Sequence, residues 1–155
     1  MVSGNNGTTG VGLVEVYDLA QASGKLANIS TRAVVGTDQD VLIGGFIVTG
    51  PQSVRTIVRA IGPSLRSSIP DALGDPMLEL HDANGALIAS NDDWQSTDAS
   101  TEIALEESGI APQDAKESAL IAEVQPGNFT AVVRGKSNGT GVGLVEVYDV
   151  PRPSG

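Results

Sequence analysis

Short runs of apolar residues, some alternating with polar ones, recur along this chain, and turns rich in glycine and proline separate them. The segment 77–82 alternates leucines with polar residues and runs into Asn84-Gly85, a dipeptide typical of a two-residue β-hairpin turn. Such alternation predicts half-buried strands. Strands are predicted at 26–35, 41–48, 54–61, 77–82, 86–89, 119–124, 129–134 and 142–148.

Two local features modify this pattern. Gly44-Gly45 interrupts one apolar run and predicts a β-bulge or a sharp bend there. A short acidic helix is predicted at 100–108, with Ser100 or Asp98 as its N-cap and Gly109 just past its end. Together these elements predict an all-β fold, an antiparallel β-sandwich of jelly-roll type with one short helix.

The chain also contains an internal repeat. The nine residues Gly10 to Asp18 (GVGLVEVYD) recur without change as Gly141 to Asp149, an offset of 131 residues. We interpret 1–19 as the last strand of a preceding repeat or a strand added to a neighbour, 20–25 as a linker, 26–150 as one repeat unit and 151–155 as a tail. An engineered duplication or a circular permutation is the alternative interpretation.

The duplicated strand is apolar on both faces, which is typical of a strand in the interior of a structure. One copy suffices for one unit, and an exposed apolar strand pairs readily with another chain. The hypothesis is therefore that the N-terminal copy docks on another copy of the protein by strand addition and links units head to tail. The residues expected at this contact are Val11, Leu13, Val14, Val16 and Tyr17.

Composition excludes several classes of function. A net charge of −10, with no cluster of lysine or arginine, argues against a nucleic-acid partner. The chain has no cysteine, which excludes disulfides, thiol catalysis and cysteine-ligated zinc. No apolar run approaches the roughly 18 residues that a membrane span requires. The N-terminus does not resemble a signal peptide, so for an exported protein we expect the signal to lie outside this sequence.

Two stretches carry a resemblance to a known class of domain. Residues 78–93 (LELHDANGALIASNDD) and 124–134 (VQPGNFTAVVR) resemble the hairpin and the following strand of bacterial pre-peptidase C-terminal domains. That resemblance implies a jelly-roll fold, secretion and an accessory role, with calcium or polymeric substrates as ligands in some members. With 41–48, 59–65 and 141–149 included, the chain also resembles tandem repeats of large exported bacterial proteins.

The acidic loop that follows the predicted hairpin is the candidate metal site. Calcium takes six to eight oxygen ligands, often several from one loop and others from elsewhere in the fold. A solvated turn, in which the acidic side chains bind their own backbone, is the alternative. The candidate calcium ligands are Asn91, Asp92, Asp93, Asp98 and Asp82.

Trp94 is the only tryptophan, and it has two interpretations. An exposed ring would stack on a sugar, whereas a buried ring would close one end of the core. No catalytic residue is predicted, because the single histidine, His81, has no recognisable nucleophile or metal-binding partner.

Two functions remain open. The first is a non-catalytic structural or adhesive repeat module of a secreted or cell-surface protein, with copies of itself as partners. The alternative is a calcium-stabilised accessory module of an extracellular enzyme that binds carbohydrate or another polymer.

Overall fold

A computed structural model of the protein describes residues 4–8, 10–16 and 28–151. These residues form mainly β-strands. One α-helix, α1, spans Ala99–Glu107. The strands are β1 (Asn28–Val35), β2 (Leu42–Val48), β3 (Val54–Ile61), β4 (Pro76–His81), β5 (Leu87–Asn91), β6 (Ser118–Val124), β7 (Gly127–Gly135) and β8 (Gly141–Asp149). Every predicted strand of 26–150 is present, with bounds that differ by at most two residues.

The strands form two four-stranded antiparallel sheets. One has the order β1-β8-β3-β6 and the other β2-β7-β4-β5. Every connection crosses from one sheet to the other, except the β4–β5 hairpin. Eight strands wound between two sheets in this way make a jelly roll, so the predicted fold class is confirmed.

The core between the sheets consists mainly of aliphatic side chains. In β2 the inward residues Leu42, Gly44, Phe46 and Val48 are buried, and the residues that alternate with them are exposed. Phe46 stacks on Phe129 of β7 with ring centroids 5.3 Å apart. With few aromatic rings available, valine, leucine and alanine fill the remaining space, so the two sheets lie close together.

The predicted irregularity at Gly44-Gly45 was wrong. The β2–β7 register runs unbroken through this pair, with Gly44 opposite Ala131 and Gly45 opposite Thr130. A Cβ atom on Gly44 would lie 2.8 Å from Cγ1 of Val145 in the opposite sheet, so close sheet packing requires the glycine. The register shift occurs instead between β4 and β5, at Leu80/His81.

The segment that contains α1 covers the outer face of the β1-β8-β3-β6 sheet. A second apolar cluster forms there from Ile57, Trp94, Leu105 and Ala119. Asp98 is the N-cap of the helix, and Gly109 follows its end with a left-handed φ of 72°. Among the described residues, no helix is both long enough and apolar enough to cross a membrane.

The two ends of the sandwich differ in their connections. The turn pole carries the short connections 49–53, 82–86 and 125–126, together with the first residue of β1 and the last residue of β8. The loop pole carries the connections 36–41, 62–75, 92–117 and 136–140. The long connections are therefore collected at one end, which is where elaborated loops usually carry function.

Candidate functional site

Three carboxylates meet at the loop pole. Asp75 directly precedes β4, and Asp92 and Asp93 directly follow β5. Because β4 and β5 are antiparallel neighbours, the start of one strand lies beside the end of the other. One carboxylate oxygen from each residue lies within 4.8 Å of the other two, a separation that a single cation could bridge.

Lys136, from the connection between β7 and β8, neutralises part of this charge. Its Nζ lies 2.6 Å from Oδ2 of Asp92 and 3.5 Å from Oδ2 of Asp93. The hydrogen bond to Asp92 raises the pKa of Lys136. The lysine reaches this point because Gly135 is paired with Pro76, which places the two connections side by side.

The surroundings of Asp75 disfavour the charged form of its carboxyl group. Burial raises the pKa of Asp75 and the negative charges of Asp93 and Asp92 raise it further, against the lowering effect of Lys136. Oδ1 of Asp75 and Oδ1 of Asp92 are buried without a hydrogen-bond donor among the described residues. The group therefore has two carboxylate oxygens without a donor, although an ammonium group is already present.

The structure does not assemble the five predicted calcium ligands. Asn91 is occupied by the loop itself, since its side-chain oxygen accepts from the Ala119 N–H and its amide donates to the Asp93 carbonyl. Asp75 and Lys136 were missing from the predicted set. They lie far from Asp92 in sequence: the β4–β5 pairing brings Asp75 beside Asp92, and the β4–β7 pairing brings Lys136 beside Asp75.

Asp82 and Asp98 serve turns of their own. Asp82 lies in the hairpin at the turn pole, where its Oδ1 accepts from the N–H groups of Asn84 and Ala86, and these bonds lower its pKa. It is at the opposite end of the sandwich from Asp92 and cannot join that group. Asp98 accepts from Ser100 and Thr101 at the start of α1, which lowers its pKa to about 2.

Trp94 lies in the outer apolar cluster, not at the surface. Only 6% of the residue is exposed, and its Nε1–H donates to the carbonyl of Asp114 at 3.1 Å. Both the apolar ring and its single donor are therefore satisfied within the fold. The ring offers no free face to a sugar.

Glu117 is a fully buried carboxylate that sequence analysis missed. Its Oε1 accepts from the N–H of Gly62 and from both the N–H and the hydroxyl of Ser64, and its Oε2 accepts from the N–H of Asp114. The side chain thus joins the β3–β4 connection to the β5–β6 connection. The only sequence signal is a charged residue directly before an apolar strand, which is too common to single it out.

A cavity of about 220 Å³ lies beside Glu117 on the outer face of the sheet. It contains the guanidinium of Arg59, which donates to Glu146, to the Tyr148 hydroxyl and to the Ile110 carbonyl. The Tyr148 hydroxyl in turn donates to Glu146 at 3.0 Å, and burial raises the pKa of this tyrosine. The charged groups that line the cavity are held by hydrogen bonds within the fold, an arrangement typical of a structural network.

The N-terminal copy of the duplicated strand lies outside the sandwich. Residues 10–16 form no strand with any other described residue. Val14 and Val16 are 65% and 74% exposed, whereas Val145 and Val147, their equivalents in β8, are 2% and 7% exposed. Val11 and Leu13 are also exposed, and Tyr17 lies outside the described residues.

The turn before each copy has the same conformation. Asn6 and Ser137, again 131 residues apart, have φ values of 52° and 53°. The N–H of Thr8 donates to the carbonyl of Asn5, as that of Gly139 does to the carbonyl of Lys136. A Cβ on Gly4 or Gly135 would clash with a carbonyl oxygen less than 2 Å away. Residues 4–8 therefore form the same turn as 135–139 without any sheet beside them.

Comparison with solved structures finds a similarity of fold. The fold is similar to the pre-peptidase C-terminal domain of a collagenase from Bacillus anthracis, with a TM-score of 0.48 and 12% sequence identity. The similarity covers 78% of this chain and 89% of that domain. It is a likeness of fold, to the class of domain that the sequence motifs resemble. Neither a protein-family profile nor a curated protein sequence matches the chain.

Proposed function

We propose that this chain is a non-catalytic structural module of a secreted or cell-surface protein in which units of this kind follow one another. The observation that carries the proposal is the contrast between the two copies of one strand. In β8 the sequence lies between β1 and β3, with Val145 and Val147 buried. The N-terminal copy has the same residues and the same leading turn but no such neighbours among the described residues. It is therefore suited to be the last strand of another unit.

The way in which the polar groups of the described residues are used supports a non-catalytic role. Glu117, Glu146 and Arg59 are held by hydrogen bonds within the fold. The single histidine, His81, binds Glu79 and the Gly85 carbonyl in the hairpin at the turn pole. These contacts favour structural roles over a nucleophile and its base. The extracellular location rests on the resemblance of 78–93 and 124–134 to exported bacterial domains.

The tandem arrangement can be tested with a two-unit protein, because the repeat defines the junction. Residues 1–149 are continued directly by residues 19–155, so that Asp149 takes the place of Asp18. The enthalpy of unfolding grows with the number of folded residues, so calorimetry should give about twice the value of the single chain. An unchanged enthalpy would show that the second unit does not fold, and the proposal would fail.

In the single chain, the N-terminal copy is proposed to add to the sheet edge of another molecule and so to link units head to tail. Pairing would bury Val11, Leu13, Val14 and Val16, which are exposed. Light scattering should therefore show association that grows with concentration and is abolished by V14K/V16K. A lysine at Ile103, an exposed apolar position of α1 that lies on no sheet edge, is the control. A monomer at every concentration would refute this mode of assembly.

The second candidate is a calcium-stabilised accessory module that binds carbohydrate or another polymer. The group of Asp75, Asp92 and Asp93, with two oxygens that lack donors, favours it. Lys136 already occupies part of this space, and the equivalent position before the N-terminal copy is Asn5. K136N therefore replaces an ammonium group with a potential calcium ligand.

Calcium that binds only the native state must raise the melting temperature. Melts with millimolar calcium and with chelator should differ, more in K136N than in the unmodified chain and not at all in D92N/D93N. Retention of the protein on a polysaccharide gel, measured with and without calcium, tests whether it binds a polymer. If the melting temperature is the same with calcium as with chelator, both in the unmodified chain and in K136N, calcium does not bind at this site.

A further inference from the structure

The chain enters and leaves the sandwich at the same pole. Asn28, the first residue of β1, is paired with Tyr148 near the end of β8. Both strands run between the same two poles in opposite directions, so both ends of the unit lie at the turn pole. Any segment that precedes β1 or follows β8 must begin there.

The segment between successive units is short. Nine residues separate Asp18, the end of the N-terminal copy, from Asn28. Fully extended, the ten peptide links between these two residues span at most about 36 Å. A strand of nine residues such as β8 is itself roughly 30 Å long. To stack the loop pole of one unit on the turn pole of the next, the linker would have to run fully extended along the whole side of a unit.

Charge is distributed very unevenly between the poles. The loop-pole connections contain twelve acidic and three basic residues, a net charge of −9 out of −10 for the chain. The turn-pole connections contain a single charged residue, Asp82. Two turn poles can therefore approach each other with little repulsion, whereas two loop poles repel at distances within the screening length of about 8–10 Å in physiological salt.

We infer that successive units are joined turn pole to turn pole, so that every acidic loop pole points away from the joint. The partner of the turn pole is thus the turn pole of the next copy. This inference deepens the proposed function and rests on its tandem arrangement. The group of Asp75, Asp92, Asp93 and Lys136 then lies at the end of each unit that points away from the joint.

Distances between spin labels in the two-unit protein test the geometry. The chain has no cysteine, so introduced cysteines are the only labelling sites. Gln52 is exposed at the turn pole, and Gln95 is exposed at the loop pole. Three doubly labelled proteins are needed: Gln52→Cys in both units, Gln95→Cys in both units, and Gln95→Cys in the first unit with Gln52→Cys in the second.

The Gln52 pair should give the shortest distance and the Gln95 pair the longest. In a pole-to-loop stack the mixed pair would be shortest and the two equivalent pairs would be equal, and that result would overturn the inference. Insertion of twenty glycine and serine residues into the linker is the control, since it should broaden all three distributions. A two-unit protein with an unchanged unfolding enthalpy would refute the tandem proposal instead, so the two failures are distinguishable.

Discussion

Arg59 of β3 and Glu146 of β8 lie directly opposite each other in neighbouring strands, and their side chains form an ion pair. The guanidinium stacks over the Tyr148 ring, 5.2 Å from its centroid. Only 16% of the Arg59 side chain and 12% of the Glu146 side chain are exposed. The ion pair therefore offsets the free-energy cost of removing each charge from water.

Loss of one member of this pair should destabilise the fold. R59M leaves the Glu146 carboxylate with the Tyr148 hydroxyl as its remaining side-chain donor. We expect the free energy of unfolding to fall by about 2–4 kcal/mol, measured by urea denaturation. The control is R55M, at the more solvated end of β3 opposite the exposed Glu123. R59M/E146L should recover most of the loss, and equal effects of R59M and R55M would contradict the prediction.

The two copies of the duplicated strand give a matched pair of substitutions in identical sequence. V145A removes a buried side chain and should cost about 2 kcal/mol. V14A changes the equivalent exposed residue and should alter stability by less than about 0.5 kcal/mol at micromolar concentration. Chemical denaturation measures both. Equal losses at low concentration would mean that the N-terminal copy is packed within its own molecule.

Gly44 and Gly45 are neighbours with opposite environments. A methyl group at Gly44 would press on Val145, so G44A should cost about 1–3 kcal/mol. At Gly45 the nearest atom is the Phe129 carbonyl oxygen at 3.9 Å, so G45A should be neutral or slightly stabilising. Thermal melts of both variants test this. If contact with Val145 is the cause, the loss of stability in G44A/V145A will be smaller than the sum of the losses in G44A and V145A.

Asp98 should make the stability of α1 depend on pH. Its pKa of about 2 in the folded chain lies below its ordinary value of 3.8, because Ser100 and Thr101 donate to the ionised carboxylate. The stabilisation is therefore complete above about pH 4 and is lost as the pH falls through 2. D98A should lower the melting temperature at pH 7, and its difference from the unmodified chain should shrink towards pH 2.

D98N provides the control for charge, since asparagine also caps helices. Its melting temperature should lie near that of the unmodified chain at pH 7, and it should lack the added dependence on pH below 4. A constant difference between D98A and the unmodified chain from pH 7 to pH 2 would rule out the carboxylate as the cause.

Local signals predicted the elements well, and contacts between distant segments limited the rest. The strand predicted at 54–61 is β3 itself, and the helix is shifted by one residue because Asp98 caps it. The need for glycine at position 44 could not be inferred from its neighbours in sequence, because it arises from contact with Val145 in the opposite sheet. In the same way, Asp92 and Asp93 were found in one loop, but Asp75 required the pairing of β4 with β5, and Lys136 that of β4 with β7.

Two long connections at the loop pole both bind Glu117, and we therefore expect them to open together. Its carboxylate holds Gly62 and Ser64 of one connection and Asp114 of the other, and its carbonyl accepts from the Trp94 N–H. If one connection moved away from the sheet while the other stayed in place, the Glu117 carboxylate would remain buried without part of its hydrogen-bond donors, which is costly. Amide hydrogens of both segments should therefore exchange with solvent at a common opening free energy, as a single cooperative unit at the loop pole.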